Sequence, residues 1–264
     1  MYQRIILLIA FSVIFMDSIS QTFNRGELAF SLSGGSSRPM AGFSGKDIAS
    51  SIIYREDVTP PWEIGIKKSE NGFARPGYYY AAQVNYGITN RFFVFLRAGS
   101  SNNPVAEQII EDYFSTLWSV EVNFTQTDYQ LRTLAPGIGY SHRLGNWGLS
   151  TGLFAGNGRL EFPYYNLILT YTPSHKGTWG HDGPRPDLNA FAYGGMFNLS
   201  YETGRIQTGL EILYQRADFE YSMTTRLVPG GNFNPVYHDT IKSSLLFIGL
   251  QVSYSIIKGK PPGR

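Results

Sequence analysis

The sequence predicts an all-β fold: an eight-stranded antiparallel up-and-down transmembrane β-barrel with a short helix in an extracellular loop. Three observations carry that expectation. Segments in which bulky apolar residues alternate with small or polar ones recur eight times, the period of two that a strand with two unlike faces requires. The connections between these segments alternate strictly between tight and long. The composition, 18 Tyr, 18 Phe and 29 Gly with only 16% charged residues, suits the glycine- and aromatic-rich strands of a barrel.

Before the first strand the chain reads MYQRIILLIAFSVIFMDSISQT. One Arg at position 4 precedes an apolar run from Ile5 to Phe15, and the small residues Ser18 and Ser20 stand just before Gln21. That is the build of a secretory signal peptide over 1–20, because a run of about 11 residues is too short to span a bilayer as a helix. Export is expected, with 21–264 as a single barrel domain. With 0 Cys, no disulfide framework and no lipid-bearing cysteine are expected. A formal net charge of +2 gives no reason to expect a nucleic-acid partner.

The period-two segments lie near 26–34, 77–87, 91–100, 128–142, 147–162, 188–202, 205–222 and 241–257. In the second, Tyr80, Ala82, Val84 and Tyr86 oppose Ala81, Gln83, Asn85 and Gly87. In the sixth, Phe191, Tyr193, Phe197 and Leu199 oppose Ala190, Ala192, Gly194 and Asn198. In the seventh, Ile206, Thr208, Leu210, Ile212 and Tyr214 oppose Gln207, Gly209, Glu211, Leu213 and Gln215. The last places Leu246, Ile248, Leu250, Val252, Tyr254 and Ile256 on one side. A soluble barrel would bury these bulky faces and show water a surface of Gly, Ala and Ser with few charges, which is a poor surface for solubility. A membrane barrel turns them to lipid and packs the small and polar residues inside.

The tight connections are Ile88-Thr89-Asn90, Arg143-Leu144-Gly145-Asn146 and Thr203-Gly204. The long ones, about 35–76, 101–127, 163–187 and 223–240, therefore all emerge at one end. Short turns on one side, long loops on the other and an even strand number are the pattern of an outer-membrane barrel. Eight strands leave an interior about filled by side chains. Alternation places Glu27, Arg97 and Glu211 on inward faces, where a charge network is expected to plug the lumen.

The second loop contains NNPVAEQIIEDYFSTLW. Asn102 or Asn103 suits a cap, Pro104 a first-turn position, and Val105, Ile109, Tyr113 and Leu117 repeat at helical spacing, predicting a short amphipathic helix over about 104–117. Such a helix caps the barrel mouth, docks a partner or rests at the lipid surface. Ile109, Tyr113, Leu117 and Trp118 are the expected contact residues if it binds.

For chemistry the sequence offers little. His175, His181 and Asp182 share one Gly/Pro-rich loop, and His238 and Asp239 lie in another at the same end, but their spacing matches no specific metal-ligand pattern. His142 is expected at a turn-end strand tip. There is no phosphate-binding G-x-x-x-x-G-K-[ST] and no His-x-Ser pair. No catalytic residue, metal or cofactor is expected.

The last strand, Phe247-Ile248-Gly249-Leu250-Gln251-Val252-Ser253-Tyr254, looks like the C-terminal assembly signal of small outer-membrane β-barrel proteins of Gram-negative bacteria. In architecture the chain resembles the OmpA-, OmpX- and Opa-like barrels. It departs from their commonest form by continuing through IIKGKPPGR, and its signal and tail resemble those of Bacteroidota barrels. The resemblance implies contact with outer-membrane lipid and with the barrel-insertion machinery during assembly. The expected function is a non-enzymatic barrel whose loops bind a surface ligand or another envelope protein. The alternatives are a lipid- or lipopolysaccharide-modifying barrel enzyme, or a narrow channel.

Overall fold

The computed structural model describes residues 24–55, 62–161, 165–172, 175–180, 187–224 and 236–258. In chain order the elements are β1 (Leu28–Pro39), β2 (Ile52–Arg55), β3 (Trp62–Ile66), β4 (Gly77–Gly87), β5 (Phe92–Asn103), α1 (Glu107–Trp118), β6 (Glu121–Gln126), β7 (Tyr129–Leu144), β8 (Trp147–Glu161), β9 (Tyr165–Thr172), β10 (His175–Gly180), β11 (Leu188–Thr203), β12 (Ile206–Thr224) and β13 (Val236–Ile257). The expected signal peptide over 1–20 lies outside the described residues, as do His181 and Asp182.

Eight strands close into one antiparallel ring in the order β1-β4-β5-β7-β8-β11-β12-β13. Neighbours in the ring are neighbours in sequence once the loop elements are set aside, which makes the barrel up-and-down. Closure is the pairing of β1 with β13, where Phe30 faces Tyr254 and Gly35 faces Gly249. Glycine is required at this seam because the backbones approach closely. A Cβ on Gly35 would lie 2.3 Å from the Ile248 carbonyl oxygen, and one on Gly249 would lie 2.3 Å from that of Gly34.

Tight turns set the register at one end. Leu144 pairs with Trp147 and Thr203 with Ile206, so Gly145-Asn146 and Gly204-Arg205 are two-residue hairpin loops. Gly145 (φ 63°) and Gly204 (φ 67°) take the positive-φ first position that such turns need. In the third turn the Thr89 side-chain oxygen accepts from the Phe92 N–H at 2.9 Å.

Every segment read from alternation is a barrel strand, but several run further toward the loop end. β1 continues to Pro39, β5 to Asn103, and β13 begins at Val236 rather than near 241. The added stretches carry polar outward residues, among them Arg38, Asn102 and Thr240. Hydrophobic alternation fades there although the hydrogen-bonded ladder persists. Within the loops lie elements the sequence did not announce: the hairpin β2–β3 and a three-stranded sheet in the order β10-β9-β6, against which α1 packs.

Candidate functional site

The outward face carries a continuous apolar belt. Leu32, Val84, Val94, Leu96, Leu134, Ile138, Leu153, Phe191, Leu210 and Leu250 are exposed, Leu250 by 71% and Leu153 by 70%. Aromatic rings rim the belt on both sides. Toward the short turns stand Tyr86, Phe92, Trp147, Tyr201 and Tyr254; toward the loops stand Tyr78, Tyr80, Tyr193 and Tyr214. Two pairs lock edge to face in the turn-side rim, Phe92 with Tyr140 at 5.4 Å and Trp147 with Tyr201 at 5.2 Å. On β12 from Ile206 to Tyr214 and on β13 from Leu246 to Ile256 the outward residues carry no charge, and the next outward residue on β12, Arg216, pairs with the rim residue Tyr193. On β12 the belt runs from Ile206 to Tyr214. Nine residues at about 3.3 Å, tilted by about 40°, cover roughly 20 Å, close to the height of the apolar band on a membrane barrel.

Inside, a salt bridge crosses the lumen. Arg97 on β5 meets Glu211 on β12 with two parallel N–H···O bonds of 2.7 and 2.8 Å, and both side chains are buried. The remaining acceptor capacity of Glu211 is used by the Tyr79 hydroxyl at 3.1 Å and the Gln251 amide at 3.3 Å. Arg97 also donates to Gln83 and Ser33. From there a chain of polar side chains runs toward the turns: Gln83 to Asn85, Asn85 to Ser31, Ser31 to Ser253. Phe95, Phe154, Met196, Leu213 and Phe247 fill the space around the pair. The cavity bordered by Tyr79, Arg97, Thr133, Gln215 and Phe247 is about 20 Å³, room for roughly one water. Of the three charges expected inside, Glu27 stands apart. It accepts from Ser255 at 2.6 Å and from Asn24 near the turn end, and takes no part in the central pair.

Above the lumen the first loop dips into the mouth. Phe43 and Phe73 are fully buried, and the Tyr129 ring meets Phe43 at 5.0 Å while its hydroxyl donates to the Gly72 carbonyl. Lys68 is drawn in with them. Its ammonium lies 5.7 Å from the Phe73 ring and 5.9 Å from the Tyr129 ring and donates to Gln126, while its backbone N–H reaches Asp239. Tyr221 donates to the same Asp239 oxygen at 2.6 Å. Tyr221 and Asp239 lie well beyond the outer aromatic rim, and burial, reinforced by the Asp239 carboxylate, pushes the Tyr221 phenol up so that it remains a donor.

The second loop builds its own unit. The helix begins at Glu107 rather than 104, with Ala106 at the cap position and no side-chain cap. Asn103 serves elsewhere: it is buried, accepts from the Ser37 hydroxyl and donates to the Ser37 and Arg75 carbonyls, tying the first loop to the second. Ile110 and Phe114 point into the core. Ile109, Tyr113 and Trp118 pack half-buried at its flank, and Leu117 is exposed by 45%. Along one stripe of α1, Glu107, Glu111 and Ser115 accept from the backbone N–H groups of Gln126, Phe124 and Val122 at 2.6, 2.8 and 3.2 Å. Helix positions four apart thus meet strand positions two apart, and the free edge of β6 is sealed by side chains. The acidic residues of the helix were visible in the sequence, but β6 was not expected, so the match went unseen.

No group of three or more His, Asp or Glu residues suited to a metal occurs among the described residues, and His238 stands exposed beside the buried Asp239.

No family model and no curated protein matches the chain. Among solved structures it is similar to Neisserial surface protein A at 10% identity, covering 87% of this chain and 97% of that one, with a TM-score of 0.40. It is similar to Ail, the attachment invasion locus protein of Yersinia pestis, at 12% identity, covering 87% and 99%, with a TM-score of 0.38. The N-terminal β-barrel domain of Pseudomonas aeruginosa OprF is similar at 10% identity, covering 88% and 98%, with a TM-score of 0.33.

Proposed function

We propose that this chain is an exported, non-enzymatic integral protein of a bacterial outer membrane, whose closed barrel anchors a folded loop-end platform that binds a surface ligand or another envelope protein. The uncharged outward belt with aromatic rims on both sides carries this reading. In water, so many exposed leucines and aromatic rings would drive aggregation; in lipid they are the stable arrangement. The bidentate pair of Arg97 and Glu211 supports an anchor rather than a pore, since it spans the lumen and leaves room for little more than a water. Loop segments held by buried contacts, instead of trailing in solvent, support a platform with a defined contact surface. The α1 flank of Ile109, Tyr113, Leu117 and Trp118 is the part of that platform we assign to contact, with Leu117 as its exposed member.

Fractionation of cells expressing the full chain tests the reading. The protein is expected in the carbonate-resistant outer-membrane fraction, with a gel mobility that changes on boiling. A freely soluble periplasmic protein would overturn it. For the platform, cells displaying the wild type are compared with cells displaying a chain whose residues 107–118 are replaced by a Gly/Ser linker. Surface cross-linking that disappears in the variant, with the heat-sensitive band retained, supports binding through the loops. Unchanged cross-linking removes α1 from the contact surface.

A further inference from the structure

The turn end of the barrel is ringed with cations. Arg25 precedes β1, Arg91 lies in the β4–β5 turn, Arg143 stands near the end of β7, Arg205 lies in the β11–β12 turn, and Lys258 follows β13. Arg143 is paired with Glu202 at 2.8 Å. The other four are exposed, and no carboxylate pairs with them among the described residues. Among the described residues the other acid at this end, Glu27, is buried and held by Ser255 and Asn24.

These charges are carried on rigid backbone. The Arg25 N–H donates to Asn90 Oδ1 at 3.2 Å, the Arg91 carbonyl accepts from Ser141 at 2.7 Å, and the Arg205 carbonyl accepts from Ser255 at 2.9 Å. Four of the five cations lie within a few residues of the turn-side aromatic rim: Arg91 is next to Phe92, Arg143 precedes Trp147, Arg205 follows Tyr201, and Lys258 follows Tyr254. Long basic side chains at that depth run their stems along the apolar wall and place their heads at the polar boundary.

We propose that this basic rim binds the phosphate groups of anionic glycerophospholipids in the leaflet that meets the short turns. The inference rests on the membrane reading above. A guanidinium fork matches two phosphate oxygens, and a zwitterionic headgroup brings its own ammonium to compete, whereas an anionic one does not. Distribution around the whole circumference favours lipid over a docked macromolecule, which would require its cations gathered on one side. Attraction of this kind is screened by salt, and each cation contributes on the order of a five-fold preference.

The test uses the full chain folded into vesicles of phosphatidylcholine with a minority of phosphatidylglycerol, then extracted in mild detergent, with the retained lipid counted. The wild type is expected to retain phosphatidylglycerol several-fold above its bulk fraction, and less so at high salt. A chain carrying Arg25→Gln, Arg91→Gln, Arg205→Gln and Lys258→Gln is expected to retain the bulk ratio; the double variant Arg91→Gln with Arg205→Gln, expected midway, serves if the quadruple one does not insert. Arg132→Gln with Arg216→Gln, at the loop end, should change nothing. Bulk-ratio retention by the wild type, or loss only in the loop-end variant, overturns the proposal. So does a wild type that shows no lipid preference but sediments with peptidoglycan sacculi, because the rim then serves a cell-wall polymer. Insertion into pure phosphatidylcholine, read by the heat-dependent gel shift, separates the two readings: a chain that never inserts defeats the membrane assignment, whereas one that inserts without lipid preference defeats only the rim.

Discussion

Arg97 and Glu211 show how much a single pair contributes to closing a barrel this small. Their strands, β5 and β12, are not neighbours in the ring, so the bond is a strut across the lumen and not a link along the sheet. Removing one partner leaves the other charge buried without compensation, a cost of about 3–5 kcal/mol, while replacing both by apolar residues of similar size avoids that penalty. Glu211→Gln is therefore expected to lower the urea midpoint of vesicle-refolded protein markedly, and Arg97→Met with Glu211→Leu to lower it much less. A double variant as unstable as the single ones would mean that the pair itself supplies net stability. Alternation placed both residues on inward faces, although β5 carries apolar residues on both sides, Phe93 and Phe95 inward and Val94 and Leu96 outward. It gave no means of matching them to each other and separating Glu27, because which inward residues meet across a lumen depends on strand stagger.

At the scale of elements, α1 and β6 form a unit whose logic is a shared spacing. Four-residue steps on the helix bring Glu107, Glu111 and Ser115 to successive free N–H groups of a strand that pairs with β9 on its other side. Cutting Glu111 to Ala leaves the Phe124 N–H part-buried without its acceptor, a loss of about 1–3 kcal/mol. Hydrogen exchange at Val122, Phe124 and Gln126 is expected to accelerate in that variant while the amides of β5 and β12 keep their protection. Acceleration spread over the barrel would instead show that the loop unit and the barrel unfold together. The sequence revealed the helix but not its inward face. Ile109-Ile110, Tyr113-Phe114 and Leu117-Trp118 are adjacent apolar pairs repeating every four residues, so two stripes fit equally well, and only packing chose Ile110 and Phe114. β6, β9 and β10 escaped notice for a related reason: each is short and lies inside a long connection, β6 among polar residues and β9 and β10 beside Pro and Gly.

For the whole molecule, which face meets lipid decides the sign of almost every substitution. Leu250 sits in the middle of the outward belt, directly opposite Leu210, and the next residue, Gln251, points into the lumen and bonds to Glu211. A cation at a mid-belt position of a membrane barrel costs about 2–4 kcal/mol, falling to about 0–1 near the interfaces. Leu250→Arg is thus expected to destabilise folding into vesicles by that larger amount, and Thr240→Arg, outward on the same strand but beyond the rim, to be nearly neutral. If the belt faced a soluble core, an Arg at position 250 would instead be a buried unpaired charge and would abolish folding in detergent-free buffer as well. The distinction is read by refolding both variants with and without vesicles. Folding that needs lipid, combined with a penalty graded by depth along β13, follows only when the alternating face of Leu246, Leu250 and Tyr254 lies against hydrocarbon. The outward belt, visible from period two alone, then dictates orientation for all eight strands at once, because a slip of one residue in any of them would turn its leucines and tyrosines into a lumen that has no room for them.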